Sequence, residues 1–192
     1  GEMHAKKIAA VYDMAVKMGA PVIGLLDCAG IRLQESVDAL EAFGTIYSRQ
    51  AAASGIVVQI SAVFGMWGGG LAVVPALSDF TFAQADKAKM FINSPNAIDG
   101  NRADKCDSSK AAFQSAETGT IDGVGTEDEI LARIRQLVCM LPANNAQGGC
   151  VDECTDDLNR ACQSLDTMKG DPRYVLSEIS DNHVFIEAKA DY

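Results

Sequence analysis

Two glycine-containing turns each follow an apolar segment, and each can present backbone N–H groups to an anion. The first turn contains Gly68, Gly69 and Gly70, which follow the apolar run 55–64 and precede the short apolar segment 71–77. Glycine permits unusual backbone torsions and lets another molecule approach the main chain closely. A helix that starts at such a turn has free N–H groups that bind a phosphate or an oxyanion. The same glycine pattern also serves simply to pack a helix on a sheet, so both interpretations stay open.

The second turn follows the apolar segment 21–26 and contains Ala29, Gly30 and Arg32. An oxyanion hole needs two donors that converge on one oxygen, and turns after neighbouring parallel strands can supply one donor each. Neither turn has the glycine offsets of the dinucleotide-binding fingerprint. The first also lacks the Gly-Lys-Ser/Thr of a P-loop, because Leu71 follows its glycines. The two turns therefore predict a backbone anion site without a standard nucleotide signature.

Three further polar residues near the turns are predicted to have structural roles. Asp27 and Cys28 end the first apolar segment, but nothing nearby supplies the base that a thiolate nucleophile needs. Asp79 follows Ser78 and is predicted to cap a turn.

Helical and strand patterns alternate along the chain and predict the elements that place these turns. The spacing predicts helices over 2–18, 35–54 and 127–141, the last with Thr126 as N-cap and Glu129 completing a capping box. Helices between strands indicate parallel pairing with right-handed crossovers. Strands are predicted over 21–26, 56–64, 80–83, 89–92 and 119–124, loop or short helices over 99–110, and a linker with one helix, 152–168, over 143–172. One face of the first helix is predicted to carry Ile8, Val11, Met14 and Ala15.

Four segments resemble, in the family's order, the carboxyltransferase subunits of biotin-dependent acyl-CoA carboxylases and decarboxylases. The segments are 1–8, 27–36, 65–72 with 75–80, and 90–92, and residues 141–145 resemble the family's end-of-domain signature. The resemblance implies an α/β, crotonase-like fold with repeated ββα units. Family members carry two such domains, the first for acyl-CoA and the second for biotin, and this chain resembles the first. We therefore expect a fragment of a two-domain carboxyltransferase, with an N-terminally incomplete carboxyltransferase domain over 1–145 and a linker and lead-in to the second domain over 146–192.

The resemblance also implies an activity and assigns residues to it. Family members move a carboxyl group between carboxybiotin and an acyl-CoA through an enolate of the thioester. Two backbone N–H groups suffice to bind the thioester oxygen as it becomes negative, so no catalytic His, Cys or Ser is required. By position in the family's motifs, the predicted catalytic residues are Gly69 and Gly70. The predicted substrate-binding residues are Ala29, Gly30, Arg32 and Gly68.

The same resemblance implies which molecules act with this chain. Acyl-CoA is the expected substrate, biotin is expected on a partner carrier protein or domain, and no metal is expected. The expected partners are a biotin carboxyl carrier and either biotin carboxylase or membrane decarboxylase subunits. A homo-oligomer is expected through the full-length subunit.

Composition agrees with a folded domain that does not bind nucleic acid. A chain of 192 residues with 48% hydrophobic and 22% charged residues can bury one core. The net charge of −10 argues against nucleic acid, for which a basic face is expected. The six cysteines form no Cys-x-x-Cys pair, and the cytoplasm is the expected location. Contacts to coenzyme A phosphates, or solvated surface charge, are the two interpretations of Lys6, Lys7, Arg32, Lys87 and Lys89.

Two other functions stay open. A stand-alone crotonase-type hydratase or isomerase would need a carboxylate near Gly30, and Glu35 is the local candidate, although Arg32 and Glu35 also suit an ion pair that locks the turn. A non-catalytic assembly module is the second alternative.

The chain departs from the family pattern at two places. Trp67 and Gly68 stand where the family usually has small residues, and segment 111–121 lacks the family's histidine-containing signature.

Overall fold

The computed structural model divides into two units. It describes residues 1–28, 30–148, 157, 159–162, 165, 170–190 and 192. The first unit comprises Gly1–Gly149 with Lys189–Tyr192, and the second comprises Cys150–Ala188. The helix predicted over 152–168 falls largely outside the described residues, and the domain boundary predicted after residue 145 stays a prediction.

The first unit is built on a parallel sheet of five strands. The strands are β1 Val22–Cys28, β2 Gln59–Gly68, β3 Phe80–Gln84, β4 Lys89–Phe91 and β5 Gly123–Gly125. They follow the order β1-β2-β3-β5, and β4 pairs with β2. The long strand β2 is paired with β1 on one edge, and its other edge is shared, because β3 pairs with residues 60–63 and β4 with residues 66–68. The predicted α/β class with parallel pairing is confirmed.

Helices cover both faces of this sheet. Successive side chains of a strand point to opposite faces, and along β2 Val63 belongs to one buried cluster while Ala62 belongs to another. The helices of this unit are α1 Glu2–Met18, α2 Ser36–Ala53, α3 Val73–Ala76, α4 Asp99–Asp104, α5 Ala111–Ala116 and α6 Glu127–Met140. The cluster of Val63 contains Ile46 from α2, and the cluster of Ala62 contains Ile130 from α6. Short 3₁₀ segments span Leu33–Glu35, Gly69–Ala72 and Pro95–Ala97.

The predicted helices over 2–18, 35–54 and 127–141 are present with small shifts in their ends, but the predicted face of α1 is correct only in part. Ala15 is buried and Ile8 packs against the core, whereas Val11 is 49% exposed and Met14 is 56% exposed. The other buried residues of α1 are Ala5, Ala9 and Tyr12. Small alanine side chains let α1 approach its neighbours closely, so the buried face follows residue size as well as hydrophobicity.

The five predicted strands are present with changed bounds, and the largest changes are in β2 and β5. Strand β2 ends at Gly68 rather than at residue 64, because β4 continues its pairing through residues 66–68. Strand β5 begins at Gly123, since Asp122 instead anchors the preceding turn by accepting the Thr81 N–H at 2.7 Å.

The second unit contains one described α-helix, α7, Pro172–Ile179, followed by a 3₁₀ segment, Asp181–His183. Asp171 is its N-cap and accepts the N–H of Arg173 at 2.9 Å. Proline at the first helical position suits the start of a helix, because its missing N–H would have no intrahelical partner there. The Arg173 guanidinium also pairs with Glu187 at 2.7 Å.

Candidate functional site

The carboxyl end of β2 lies between β1 and β4, and this arrangement places the predicted turns. Trp67 is paired with Cys28 of β1 and with Met90 of β4. Paired residues in a parallel sheet lie side by side, so the turn after Cys28 and the turn after Gly68 leave the sheet from adjacent strand ends. Ligands of open α/β sheets bind at such carboxyl ends.

The backbone of the first turn combines a strand end with a helix start. Gly68 is extended, and Gly69 has φ +68°, a left-handed value that favours glycine. Helical structure runs from Gly69 to Ala72 and continues through α3. The N–H groups at the start of a helix have no intrahelical partner, so those of Gly69 and Gly70 can bind an anion.

The surroundings of the three glycines differ. A Cβ at Gly69 would meet no other described atom within 4 Å. A Cβ at Gly68 would lie 2.7 Å from two ring carbons of Phe91, and a Cβ at Gly70 would lie 2.9 Å from the Phe43 ring. Gly68 and Gly70 therefore let aromatic rings approach the main chain, whereas the space beside Gly69 is open.

Two side chains bind carbonyl groups of this turn. The Tyr47 hydroxyl of α2 donates to the carbonyl oxygen of Gly70. The indole Nε1–H of Trp67 donates to the carbonyl oxygen of Leu71 at 2.6 Å. Burial raises the pKa of the Tyr47 phenol above its ordinary value, so the phenol is a donor at neutral pH. The turn is thus fixed from α2 on one side and from β2 on the other.

A cavity of about 450 Å³ is lined by residues of α1, α2, β1 and β2. It reaches Gly30 of the second turn and the two residues that flank the glycines of the first turn, but Gly68, Gly69 and Gly70 themselves do not line it. Its wall near the carboxyl end of the sheet includes Cys28, Gly30, Trp67 and Leu71. Cavities of roughly 300–1,000 Å³ that are largely apolar are the usual size for small-molecule sites.

The second turn is held by local hydrogen bonds. Gly30 has φ +114°, and its N–H points at the Sγ of Cys28 at 3.4 Å. The Arg32 guanidinium pairs with Glu35 at 3.2 Å, as the ion-pair interpretation predicts. Glu35 also accepts the Glu2 N–H at 2.6 Å. Ala29 lies outside the described residues, so its predicted contact with substrate stays a prediction.

The other polar candidates have structural contacts. Asp79 has a structural contact of a different kind from the predicted turn cap, because its carboxylate accepts the N–H of Gln59, the first residue of β2, at 2.8 Å. Asp27 packs against Gly65, where a Cβ would lie 2.2 Å from its Oδ1. Lys6 pairs with Glu2 and Lys89 pairs with Asp107, so with Arg32 three of the five candidate phosphate contacts have acidic partners.

The described part of the chain contains neither a cluster of metal ligands nor a helix that could span a membrane. Among those residues, no group of three or more His, Cys, Asp or Glu is placed to hold a metal ion. The predicted absence of a metal stays a prediction. None of the helices described has the length and apolar character that crossing a membrane requires.

Sequence analysis alone did not single out Phe43, Tyr47 or Phe91 as neighbours of the turn. Phe43 and Tyr47 are one helical turn apart, with ring centroids separated by 6.2 Å. Two aromatic residues four positions apart on a helix lie on the same face, and this spacing was the signal in the sequence that could have identified them as a pair. The partners of these rings are distant in sequence, because Tyr47 and Gly70 are separated by 23 residues.

Comparisons with known proteins cover the whole chain. The carboxyl transferase domain family model matches residues 1–192. Methylmalonyl-CoA decarboxylase subunit alpha of Propionigenium modestum is 37% identical over 100% of this chain and 39% of that protein. The propionyl-CoA carboxylase carboxyltransferase subunit of Haloferax mediterranei is 38% identical over 100% of this chain and 39% of that protein.

A solved structure agrees with these relatives. The crystal structure of transcarboxylase 12S with hydrolyzed methylmalonyl-coenzyme A bound matches with a TM-score of 0.89 and 27% identity, over 100% of this chain and 40% of that one. The chain therefore spans about two fifths of the length of the curated relatives that it matches. The resemblance and the crotonase-like fold predicted from four short segments are confirmed, and the chain belongs to the carboxyl transferase domain family.

Proposed function

We propose that this chain is the acyl-CoA-binding half of a biotin-dependent carboxyltransferase. The observation that carries the proposal is the strand-to-helix turn at Gly68–Gly70, which lies at the carboxyl end of the parallel sheet. It occurs in a chain that belongs to the carboxyl transferase domain family. The names of the relatives support the substrate class, since they specify methylmalonyl-CoA and propionyl-CoA. The transcarboxylase 12S structure, described with hydrolyzed methylmalonyl-coenzyme A bound, supports it further.

The turn supplies what the chemistry needs from this chain. A biotin group on a partner would carry the carboxyl group: carboxybiotin would supply it in one direction, with the ureido nitrogen taking up the α-proton of the acyl-CoA, and biotin would accept it in the other. The acyl-CoA thioester oxygen becomes negative as the enolate forms, and the N–H groups of Gly69 and Gly70 are the donors proposed to bind it. Removing one such donor in comparable sites costs roughly 3 kcal/mol of transition-state stabilisation. A mechanism of this kind assigns no proton transfer to a side chain of this turn.

The second turn is proposed to line the other side of the acyl-CoA site. Gly30 and Trp67 both line the cavity. Gly68 follows Trp67 in the chain and Arg32 lies two residues after Gly30, and both are proposed to contact substrate at the edge of the cavity. Arg32 is paired with Glu35, and its side chain is 69% exposed. We propose that this ion pair stabilises the turn and that Arg32 also contacts the substrate at the edge of the site.

The partners and location are part of the same proposal. A biotin carboxyl carrier, together with biotin carboxylase or membrane decarboxylase subunits, would complete the reaction in the cytoplasm. The description of transcarboxylase 12S as a hexamer supports a homo-oligomer.

One observation weighs against a stand-alone hydratase or isomerase. Such an enzyme would need Glu35 as a free carboxylate near Gly30. Both the Arg32 guanidinium and the Glu2 N–H engage the Glu35 carboxylate. A carboxylate that already accepts these donors is poorly suited to remove a proton from substrate.

Calorimetric titration of the 192-residue chain with propionyl-CoA and with free coenzyme A tests the proposal. The informative variant is Gly69→Ala, because the glycine has φ +68° and open space around it, so the substitution changes the backbone of the turn without a side-chain clash. We expect propionyl-CoA to bind the unaltered chain and the variant to bind it about tenfold more weakly or worse.

Gly55→Ala is the matched control. Gly55 has φ +74° and equally open surroundings, but it lies in the turn after α2. Its substitution imposes the same kind of backbone strain, and we expect propionyl-CoA affinity to be retained. A folded unaltered chain that binds no acyl-CoA would contradict the proposal and favour the assembly module.

A further inference from the structure

Two side chains from different elements hold successive carbonyl groups of the Gly69–Gly70 turn. Tyr47 of α2 donates to the Gly70 carbonyl, and Trp67 of β2 donates to the Leu71 carbonyl at 2.6 Å. We call Tyr47 and Trp67 the carbonyl clamp. Both donors belong to aromatic side chains, which lose little conformational entropy when they are fixed.

A glycine turn needs such external restraint. Glycine has no side chain that limits rotation about its backbone bonds, so Gly69 and Gly70 do not set the direction of their own N–H groups. The peptide group is planar, so a hydrogen bond to the Gly70 carbonyl fixes the plane that joins Gly70 to Leu71. Only the torsions of Gly70 itself then separate this fixed plane from the Gly70 N–H.

Packing reinforces the two hydrogen bonds. Trp67 is 6% exposed and lies in the main buried cluster, so its ring is held by the core. The Phe43 ring and the Tyr47 hydroxyl both lie close to Gly70, where a Cβ would be 2.9 Å and 3.1 Å away from them. The side of the turn next to Gly69 is left open. The clamp thus restrains the carbonyl side of the turn and leaves space at its first helical residue.

We propose that Tyr47 and Trp67 are positioning residues, which hold the Gly69 and Gly70 N–H groups in the orientation that binds the thioester oxygen of an acyl-CoA. The inference rests on the proposed function and extends it to two residues outside the glycine motif. Neither residue needs to touch the substrate oxygen for this role.

The test compares two ligands that differ in one oxygen. Propionyl-CoA has the thioester carbonyl, and S-propyl-coenzyme A is the thioether that lacks it. The substitutions Tyr47→Phe and Trp67→Phe each remove one donor and keep an aromatic ring. We expect each variant to bind propionyl-CoA about fivefold more weakly, the usual scale for one neutral hydrogen bond. Tyr47→Phe should leave the affinity for the thioether unchanged, and Trp67→Phe should weaken the thioether less than propionyl-CoA, because the Trp67 ring also lines the cavity.

Tyr192→Phe is the control for loss of a phenol. The Tyr192 ring lies beside Gly119 and does not line the cavity, so we expect both affinities to be unchanged in this variant. Circular dichroism and urea unfolding establish that each variant is folded. Should Trp67→Phe fail to fold, Tyr47→Phe decides the question, because Tyr47 is only partly buried.

The outcomes separate this inference from the proposed function. Selective weakening of propionyl-CoA supports the clamp. Equal weakening of both ligands, or no weakening of either, overturns it, even where Gly69→Ala still abolishes propionyl-CoA binding and so upholds the proposed function. Failure of the unaltered chain to bind propionyl-CoA overturns both.

Discussion

The Phe91 ring lies against the main chain of Gly68, so closely that a Cβ at residue 68 would be 2.7 Å from two of its ring carbons. The two residues are neighbours in the register of β2 and β4. The ring therefore borders the last strand residue before the helical turn. This contact links the position of the turn to the pairing of β4.

The first prediction is that Gly68→Ala destabilises the protein. The added methyl group must displace the Phe91 ring, and overpacking of this kind typically costs about 1–3 kcal/mol. Urea unfolding followed by circular dichroism measures the change in the free energy of unfolding. Phe91→Leu should restore part of the loss in the double variant, because it makes room beside residue 68.

Gly44→Ala is the control for this prediction. Gly44 lies within α2, and a Cβ there would meet no other described atom within 4 Å. Alanine in a helix interior is favoured over glycine by roughly 0.5–1 kcal/mol, so this variant should be more stable than the unaltered chain. A neutral or stabilising effect of Gly68→Ala would show that the ring does not constrain the strand end.

The second prediction concerns the N-terminus of α6. Thr126 accepts the Glu129 N–H at 3.3 Å, and Glu129 accepts the Thr126 N–H at 2.8 Å. Thr126→Ala should lower the free energy of unfolding by about 1 kcal/mol, the usual cost of losing an N-cap side chain. Thr126→Ser retains the hydroxyl and should keep most of the stability. Equal losses in the two variants would contradict a capping role.

The sequence predicts this cap because both partners lie within one helical turn, and it predicts the parallel sheet because strands and helices alternate. The aromatic contacts at the glycine turn are of another kind. Tyr47 meets Gly70 only after α2 has packed on the sheet, and Phe91 meets Gly68 only after β4 has paired with β2. The buried face of α1 also depends on packing, because its alanines are buried only where α1 lies close to neighbouring elements.

The third prediction is that the free energy of unfolding depends on pH through the ionisation of Asp107. The Ser109 hydroxyl, and then the Lys89 ammonium at 2.9 Å, lower the pKa of the Asp107 carboxyl below its ordinary value. A carboxyl whose folded pKa is depressed adds stability above its unfolded pKa, and that stability is lost as the pH falls through the folded pKa. The relevant window therefore lies below pH of about 4.

Asp107→Asn should reduce the free energy of unfolding near neutral pH and should make less difference as the pH falls through that window. Urea unfolding of both proteins at a series of pH values measures the difference. Asp38→Asn is a control carboxyl in the first turn of α2, away from this ion pair. A constant difference between Asp107→Asn and the unaltered chain at every pH would contradict the assigned ionic contribution.

The fourth prediction is that the protein reports acyl-CoA binding through its own fluorescence. Trp67 is the single tryptophan of the chain, it is 6% exposed, and it borders both the cavity and the glycine turn. Because indole emission responds to nearby groups and to hydration, propionyl-CoA at the turn should change the intensity or wavelength of emission.

The change in emission should saturate with the dissociation constant that calorimetry gives. Free coenzyme A should produce a smaller change in emission, because it brings no acyl group to the turn. In Gly69→Ala the titration should shift to higher ligand concentration. An emission spectrum that stays constant while calorimetry records binding would place the ligand away from Trp67 and would contradict the proposed position of the acyl group.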